Sequence, residues 1–107
     1  MDIGIAVEDL MRICEVFATF PKVRQVVLFG SRAMGNYKSG SDIDLAIIGE
    51  GVTFDDILEI QDSLEQLGML YRFDLQNLNA IHDTDVKDHI DRVGKIIYIK
   101  GVSSDTK

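Results

Sequence analysis

The sequence has few of the residues on which disulfide-bonded and membrane-spanning proteins depend. Its 107 residues include one cysteine, Cys14, which therefore has no partner for an internal disulfide and fits a reducing compartment. No apolar run approaches the about 20 residues that cross a bilayer. Asp2 stands where a secretory signal peptide would carry positive charge. These features predict a cytoplasmic protein without a membrane span.

Basic residues are also scarce. The chain has 11 Lys and Arg against 18 Asp and Glu, a formal net charge of −7, and the basic residues are scattered along it. A protein that binds nucleic acid through phosphate contacts normally carries a basic face. We therefore expect no direct binding to long nucleic acid, whereas a metal ion bound among carboxylates would still attract a nucleoside triphosphate.

The apolar residues suffice for one core. They make up 46% of the 107 residues, and a chain of this length is typical of one domain, here residues 1–107. Apolar periodicity predicts helices over residues 5–20, 53–67 and 83–93, and strands over residues 26–29, 42–48, 71–76 and 95–99. This order indicates an α/β (α+β) fold in which helices pack on one face of a small mixed β-sheet of about four strands.

One stretch, residues 28–45, places a polar loop between two apolar strands. Gly30-Ser31 follows the first strand, and a loop rich in Gly, Asn and Ser leads to Asp42-Ile43-Asp44. Because side chains alternate along a strand, the two aspartates leave the same face of the sheet. Their repulsion favours a bound cation. Mg²⁺ suits such a position, since it is held by carboxylates and substrate phosphates.

Three further features extend this candidate site. The alternation of residues 71–76 places Asp74 on a polar strand face, from which it could bridge a second metal ion. The Gly30-Ser31 turn offers close approach and unpaired N–H groups to a phosphate, and Arg32 adds charge for a triphosphate or pairs with a surface acid. Taken singly, a Gly-Ser turn, an Asp-x-Asp and a lone aspartate are more often structural. Together, in this order, they favour phosphoryl or nucleotidyl transfer.

The two histidines have no such context. His82 precedes an acidic segment and is expected to be exposed, and His89 follows seven residues later with no cysteine nearby. This spacing does not favour a transition-metal site.

The sequence of residues 28–45 resembles that of the minimal nucleotidyltransferases of the DNA polymerase beta superfamily. The family pattern is Gly-Ser, ten residues, then Asp-x-Asp, and here Gly30-Ser31 and Asp42-Ile43-Asp44 flank residues 32–41 within the words LFGSRA and SDIDLAI. The resemblance covers nearly the whole chain. It implies a polymerase-beta-like fold, two Mg²⁺ ions held by Asp42, Asp44 and a third strand carboxylate, and transfer of a nucleoside monophosphate, with ATP as the donor.

The resemblance places the third carboxylate best at Asp74, with Asp83 and Asp85 as alternatives at a helix start. Met34 occupies a loop position where members of the family often carry a basic residue, which would lower nucleotide affinity. Small members are commonly paired with a helical HEPN-domain toxin, whose tyrosine they adenylylate. The resemblance therefore implies an antitoxin with a HEPN-domain partner.

Two other functions remain alternatives. A nucleotidyltransferase fold without useful activity would neutralise its partner by occlusion, because a fold alone does not specify a function. Transfer to a small molecule, as in antibiotic-modifying relatives, is the third function, and the short chain argues against it because larger relatives use additional domains to recognise an acceptor.

Overall fold

A mixed sheet and four helices make up the part of the chain that the computed structural model describes, residues 3–38 and 40–101. The elements are α1 (Val7–Ala18), β1 (Val23–Phe29), α2 (Gly30–Met34), β2 (Ile43–Gly49), α3 (Phe54–Glu65), β3 (Phe73–Asn77), a 3₁₀ turn (Leu78–Ala80), α4 (Thr84–Val93) and β4 (Lys95–Ile99). The sheet order is β3-β2-β1-β4. β2 and β3 are parallel, and the other neighbouring strands are antiparallel. Within these residues, no helix has the length and apolar character that a membrane crossing requires.

Different helices cover the two faces of the sheet. Val26 and Leu28 of β1 belong to the main core with residues of α1 and α3. Val27, which alternates with them, packs instead with Ala46 of β2 and Ile90 of α4. The mixed four-stranded fold is confirmed, but the prediction that helices pack on one face is wrong. Both faces of β1 are apolar, so both require a covering layer.

Short polar contacts define where the helices begin. Thr53 and Asp56 form the predicted capping box of α3, in which the Asp56 N–H donates to Thr53 Oγ1 at 3.1 Å and the Thr53 N–H donates to Asp56 Oδ2 at 2.9 Å. Asp83 caps α4, where its Oδ1 accepts from the Asp85 N–H at 2.9 Å. These caps pair N–H groups of the first turns and so set the residues at which α3 and α4 begin.

Candidate functional site

Asp44 and Asp74 lie side by side where β2 and β3 run parallel. The two residues are register partners, and the protonated form of Asp44 hydrogen-bonds to the Asp74 carboxylate. Strand alternation places Asp44 on the same face as Ala46, which packs against α4. Asp74, which the sequence predicts on a polar strand face, therefore lies next to Asp44 of the Asp-x-Asp segment.

The carboxyl group of Asp44 has an altered acidity. Burial, the negative charges of Asp74 and Asp42 and the hydrogen bond with Asp74 together raise its pKa to about 6, and the positive charge of Arg32 partly opposes this shift. A raised carboxyl pKa means that negative charge at this position is poorly compensated. A cation beside Asp44 would supply that compensation.

Asp42 stands at the margin of this pair. It is exposed and lies one residue before β2, which begins at Ile43 and not at residue 42 as predicted. In the two described stretches, no three His, Cys, Asp or Glu side chains converge closely enough to hold a metal ion by themselves. The donor set nevertheless fits Mg²⁺, which needs only one or two carboxylates when waters and phosphates complete its shell. Metal binding by Asp42, Asp44 and Asp74 stays a prediction.

The alternative third carboxylates have other positions. Asp83 is committed to the cap of α4, and Asp85 donates its N–H to that cap. Both are exposed at the helix start; Asp74 is exposed too, but it is the register partner of Asp44. The geometry favours Asp74. A further contact, which sequence analysis missed, is the 3.4 Å hydrogen bond that Gln76 Nε2 donates to Asp74 Oδ1.

Gly30 brings the main chain directly against Asp44. Its φ is +76°, and a Cβ at this position would overlap Asp44 Oδ2, so glycine is required for both reasons. Phe29, the preceding residue, is the register partner of Asp44 in β1–β2 pairing. Ser31 follows at the start of α2 and is partly buried. The turn at Gly30 and the Asp44 carboxylate are thus in direct contact. Nucleotide binding by Gly30 and Ser31 stays a prediction.

Arg32 forms a buried clamp. Its side chain is 4% exposed, and its Nε and Nη2 donate to the Ser41 carbonyl at 3.2 and 2.8 Å. Its Nη1 donates to the carbonyls of Ile3 and Gly4, each at 3.1 Å. The guanidinium therefore binds main-chain oxygens instead of the surface acid that the sequence left open, and it joins the segment before α1 to the loop before Asp42.

Two tyrosine rings complete the surroundings of this guanidinium. The Cζ of Arg32 lies 5.0 Å from the ring centroid of Tyr37 and 5.6 Å from that of Tyr71, within the range of cation–π attraction. The clamp supplies positive charge close enough to lower the pKa of Asp44. Direct contact between Arg32 and a nucleotide stays a prediction.

His89 reaches the same turn from α4. Its Nε2 accepts a hydrogen bond from the Gly30 N–H at 3.3 Å, and its ring meets Phe29 edge-on with centroids 6.2 Å apart. Sequence analysis missed this contact. It spans 59 residues and depends on α4 covering the second face of the sheet, which no local pattern specifies.

Comparisons with known proteins identify the family and the fold. The family described as "Polymerase beta, Nucleotidyltransferase" matches residues 11–101. A relative from Methanocaldococcus jannaschii, whose name assigns it provisionally to the protein adenylyltransferases, is 41% identical over 39 residues. That alignment covers 36% of this chain and 38% of the relative, so the chain matches well under half of that protein's length.

Solved structures of similar fold come from toxin–antitoxin complexes. A toxin–antitoxin crystallised with AMP-PNP superposes with a TM-score of 0.70 at 23% identity, covering 86% of this chain and 74% of the other. A complex of tri-AMPylated Shewanella oneidensis HEPN toxin with its MNT antitoxin gives 0.65 at 21% identity, covering 87% and 71%. At these identities the likeness concerns the fold. Because the family match spans both halves of the site, from before Gly30 to beyond Asp74, the chain belongs to the polymerase beta nucleotidyltransferase family.

Proposed function

We propose that this protein is a Mg²⁺-dependent nucleotidyltransferase that transfers AMP from ATP to a hydroxyl group of a partner protein. The observation that carries this proposal is the pair of neighbouring carboxyl groups Asp44 and Asp74, in which Asp44 lies against Gly30 and its negative charge is poorly compensated. In a chain of this family, such a pair suits metal-assisted transfer to a hydroxyl.

Asp42, Asp44 and Asp74 would hold the metal, which when bound neutralises charge on the triphosphate and lowers the pKa of the acceptor hydroxyl. The Gly30-Ser31 turn would orient the phosphates. Asp74, which is exposed at the strand start, would take the proton of the acceptor hydroxyl. The acceptor oxygen forms its bond to the α-phosphorus while the bond from that phosphorus to the β-bridging oxygen breaks, and pyrophosphate leaves.

The acceptor we propose is a tyrosine of a HEPN-domain toxin, with this chain as its antitoxin. The proposal is supported by the fold shared with toxin–antitoxin complexes, one of which contains a tri-AMPylated HEPN toxin. The provisional name of the Methanocaldococcus jannaschii relative, a protein adenylyltransferase, also supports a protein acceptor. ATP as the donor is consistent with the AMP-PNP in one of these structures.

The test uses the protein, Mg²⁺, the HEPN-domain protein of the same genome and ATP labelled at the α-phosphate. We expect label on the HEPN protein, none with γ-labelled ATP, and a loss of more than about 100-fold in Asp44→Asn because the charge that holds the metal is removed. Asp91→Asn, at an exposed position of α4, is the matched control. No label with the wild type, or full label with Asp44→Asn, would contradict the proposal.

Neutralisation by occlusion is the second candidate. It is favoured by Met34, which is 49% exposed at the end of α2 and supplies no charge there. A double variant, Asp42→Asn with Asp44→Asn, separates the two functions. If the variant still binds and silences the HEPN protein without labelling it, the chain acts by occlusion. If silencing is lost while binding persists, the chain acts by AMP transfer.

A further inference from the structure

α4 crosses the second face of the sheet and sets His89 against the first residues of the turn. The Gly30 N–H can only donate, so His89 Nε2 presents its lone pair to it across 3.3 Å. The same imidazole ring lies edge-on to Phe29. His89 thus contacts two consecutive residues, and both of them adjoin Asp44.

Through Gly30 and Phe29, these two contacts of His89 limit the space available to Asp44. A Cβ on Gly30 would overlap Asp44 Oδ2, and Phe29 is the strand partner of Asp44. A displacement of Gly30 or Phe29 would therefore change the space that the Asp44 carboxylate occupies. The imidazole holds both residues from α4, which is otherwise anchored through Ile90.

We propose that His89 is a positioning residue, whose hydrogen bond from the Gly30 N–H fixes that residue and through it the carboxylate of Asp44. Its effect on AMP transfer rests on the function proposed above. Its effects on the Gly30 amide and on the Asp44 environment do not, so the two proposals can fail separately.

Three variants separate hydrogen bonding from packing. His89→Gln places an amide oxygen within reach of the Nε2 position and retains an acceptor. His89→Phe retains an aromatic ring against Phe29 but has no acceptor. His82→Phe introduces the same ring at an exposed histidine of the same chain and is the matched control.

The first measurement needs neither metal nor substrate. Amide hydrogen exchange and ¹H–¹⁵N spectra of the metal-free protein should show the Gly30 N–H exchanging at least about tenfold faster in His89→Phe, as expected for a lost hydrogen bond worth roughly 1.4 kcal/mol, with a shifted Asp44 amide resonance. His89→Gln and His82→Phe should resemble the wild type. An unchanged Gly30 exchange rate in His89→Phe, or equal changes in His89→Phe and His89→Gln, would overturn the proposal.

The second measurement is calorimetric titration with Mg²⁺ alone, followed by transfer kinetics. His89→Phe should bind Mg²⁺ about tenfold more weakly, as when an outer support of a metal ligand is removed, and should lower kcat more than it raises KM for ATP. His89→Gln should restore both. Wild-type Mg²⁺ affinity and kcat in His89→Phe would overturn the proposal, whereas a wild type that transfers no AMP would refute the proposed function and leave the amide measurement to decide on His89.

Discussion

At the scale of single residues, the site depends on how little space separates Gly30 from Asp44. A glycine with φ of +76° allows the main chain to pass where any side chain would meet Asp44 Oδ2. Burial, together with the negative charges of Asp74 and Asp42, raises the pKa of Asp44. The position therefore combines a turn that requires glycine with a carboxyl group whose negative charge is disfavoured.

Gly30→Ala should disrupt this contact. The substitution introduces both an unfavourable positive φ, which costs about 1–2 kcal/mol, and an overlap with Asp44, which adds about 1–3 kcal/mol. Gly35→Ala is the matched control, because Gly35 also has a positive φ of 82° but no atom lies within 4 Å of its Cβ position. Urea denaturation and Mg²⁺ titration measure the two effects. Equal losses of unfolding free energy in the two variants would show that the overlap is relieved without cost.

The stability of the metal-free protein should depend on Asp44 and pH. Its pKa is about 6 in the folded chain against the ordinary 3.8, so the folded state gains stability from the protonated form at low pH and loses it as pH rises through this interval. Asn cannot ionise. In EDTA at pH 7, Asp44→Asn should therefore have a Tm about 2–4 °C higher than the wild type, a modest shift because Asp44 is partly solvated.

The pH profile of Tm distinguishes this cause from a general effect of removing an acid. The difference between Asp44→Asn and the wild type should disappear near pH 4, and Asp91→Asn, at an exposed position, should show no such profile. A difference that is larger at pH 4 than at pH 7 would refute the electrostatic explanation.

At the scale of elements, the loop before β2 is held by the Arg32 clamp. Three carbonyl groups, those of Ile3, Gly4 and Ser41, accept its hydrogen bonds. A buried guanidinium that binds carbonyls cannot be replaced by a shorter or uncharged side chain without leaving those oxygens unpaired. The Ser41 carbonyl, immediately before Asp42, is thereby tied to the segment before α1.

Arg32→Met should lower the free energy of unfolding by about 3–4 kcal/mol, because it removes charged hydrogen bonds and leaves buried carbonyls without donors. Arg24→Met, at an exposed position of β1, should change it by less than about 0.5 kcal/mol. Urea denaturation followed by circular dichroism measures both. A small loss in Arg32→Met would mean that the carbonyls find other donors.

The elements that were predictable from sequence are those with local signals. The two-residue alternation around Asp74 and the Thr53 and Asp56 capping box specify a strand face and a helix start within a few residues. The contacts of Arg32 and His89 carry no such signal, because their partners lie 28 and 59 residues away and are set by packing. The second layer of helices was missed for the same reason, since an apolar strand indicates burial but not which element covers it.

At the scale of the whole molecule, a net charge of −7 attracts cations to the chain. A divalent ion at Asp44 would relieve part of the repulsion that raises its pKa. Binding of an ion to the folded state alone stabilises that state in proportion to its occupancy.

Mg²⁺ should therefore raise the Tm of the wild type at pH 7. At a concentration about tenfold above its dissociation constant the gain is about 1.4 kcal/mol, or about 6–10 °C for a chain of this size. Asp44→Asn should show little of this rise, and NaCl at equal ionic strength serves as the control for screening. The same rise in the wild type and in Asp44→Asn would place the ion elsewhere.

Because the carbonyls of Ile3 and Gly4 accept hydrogen bonds from Arg32, the segment before α1 supports the candidate site. A protease that removed the residues before Ala6 would leave every carboxylate of the site in the chain. It would nevertheless remove two of the carbonyls that hold Arg32, and with them part of the support of the loop before Asp42. A side chain in place of Gly4 would have the same effect, because its Cβ would overlap the Arg32 guanidinium and the ring of Tyr37.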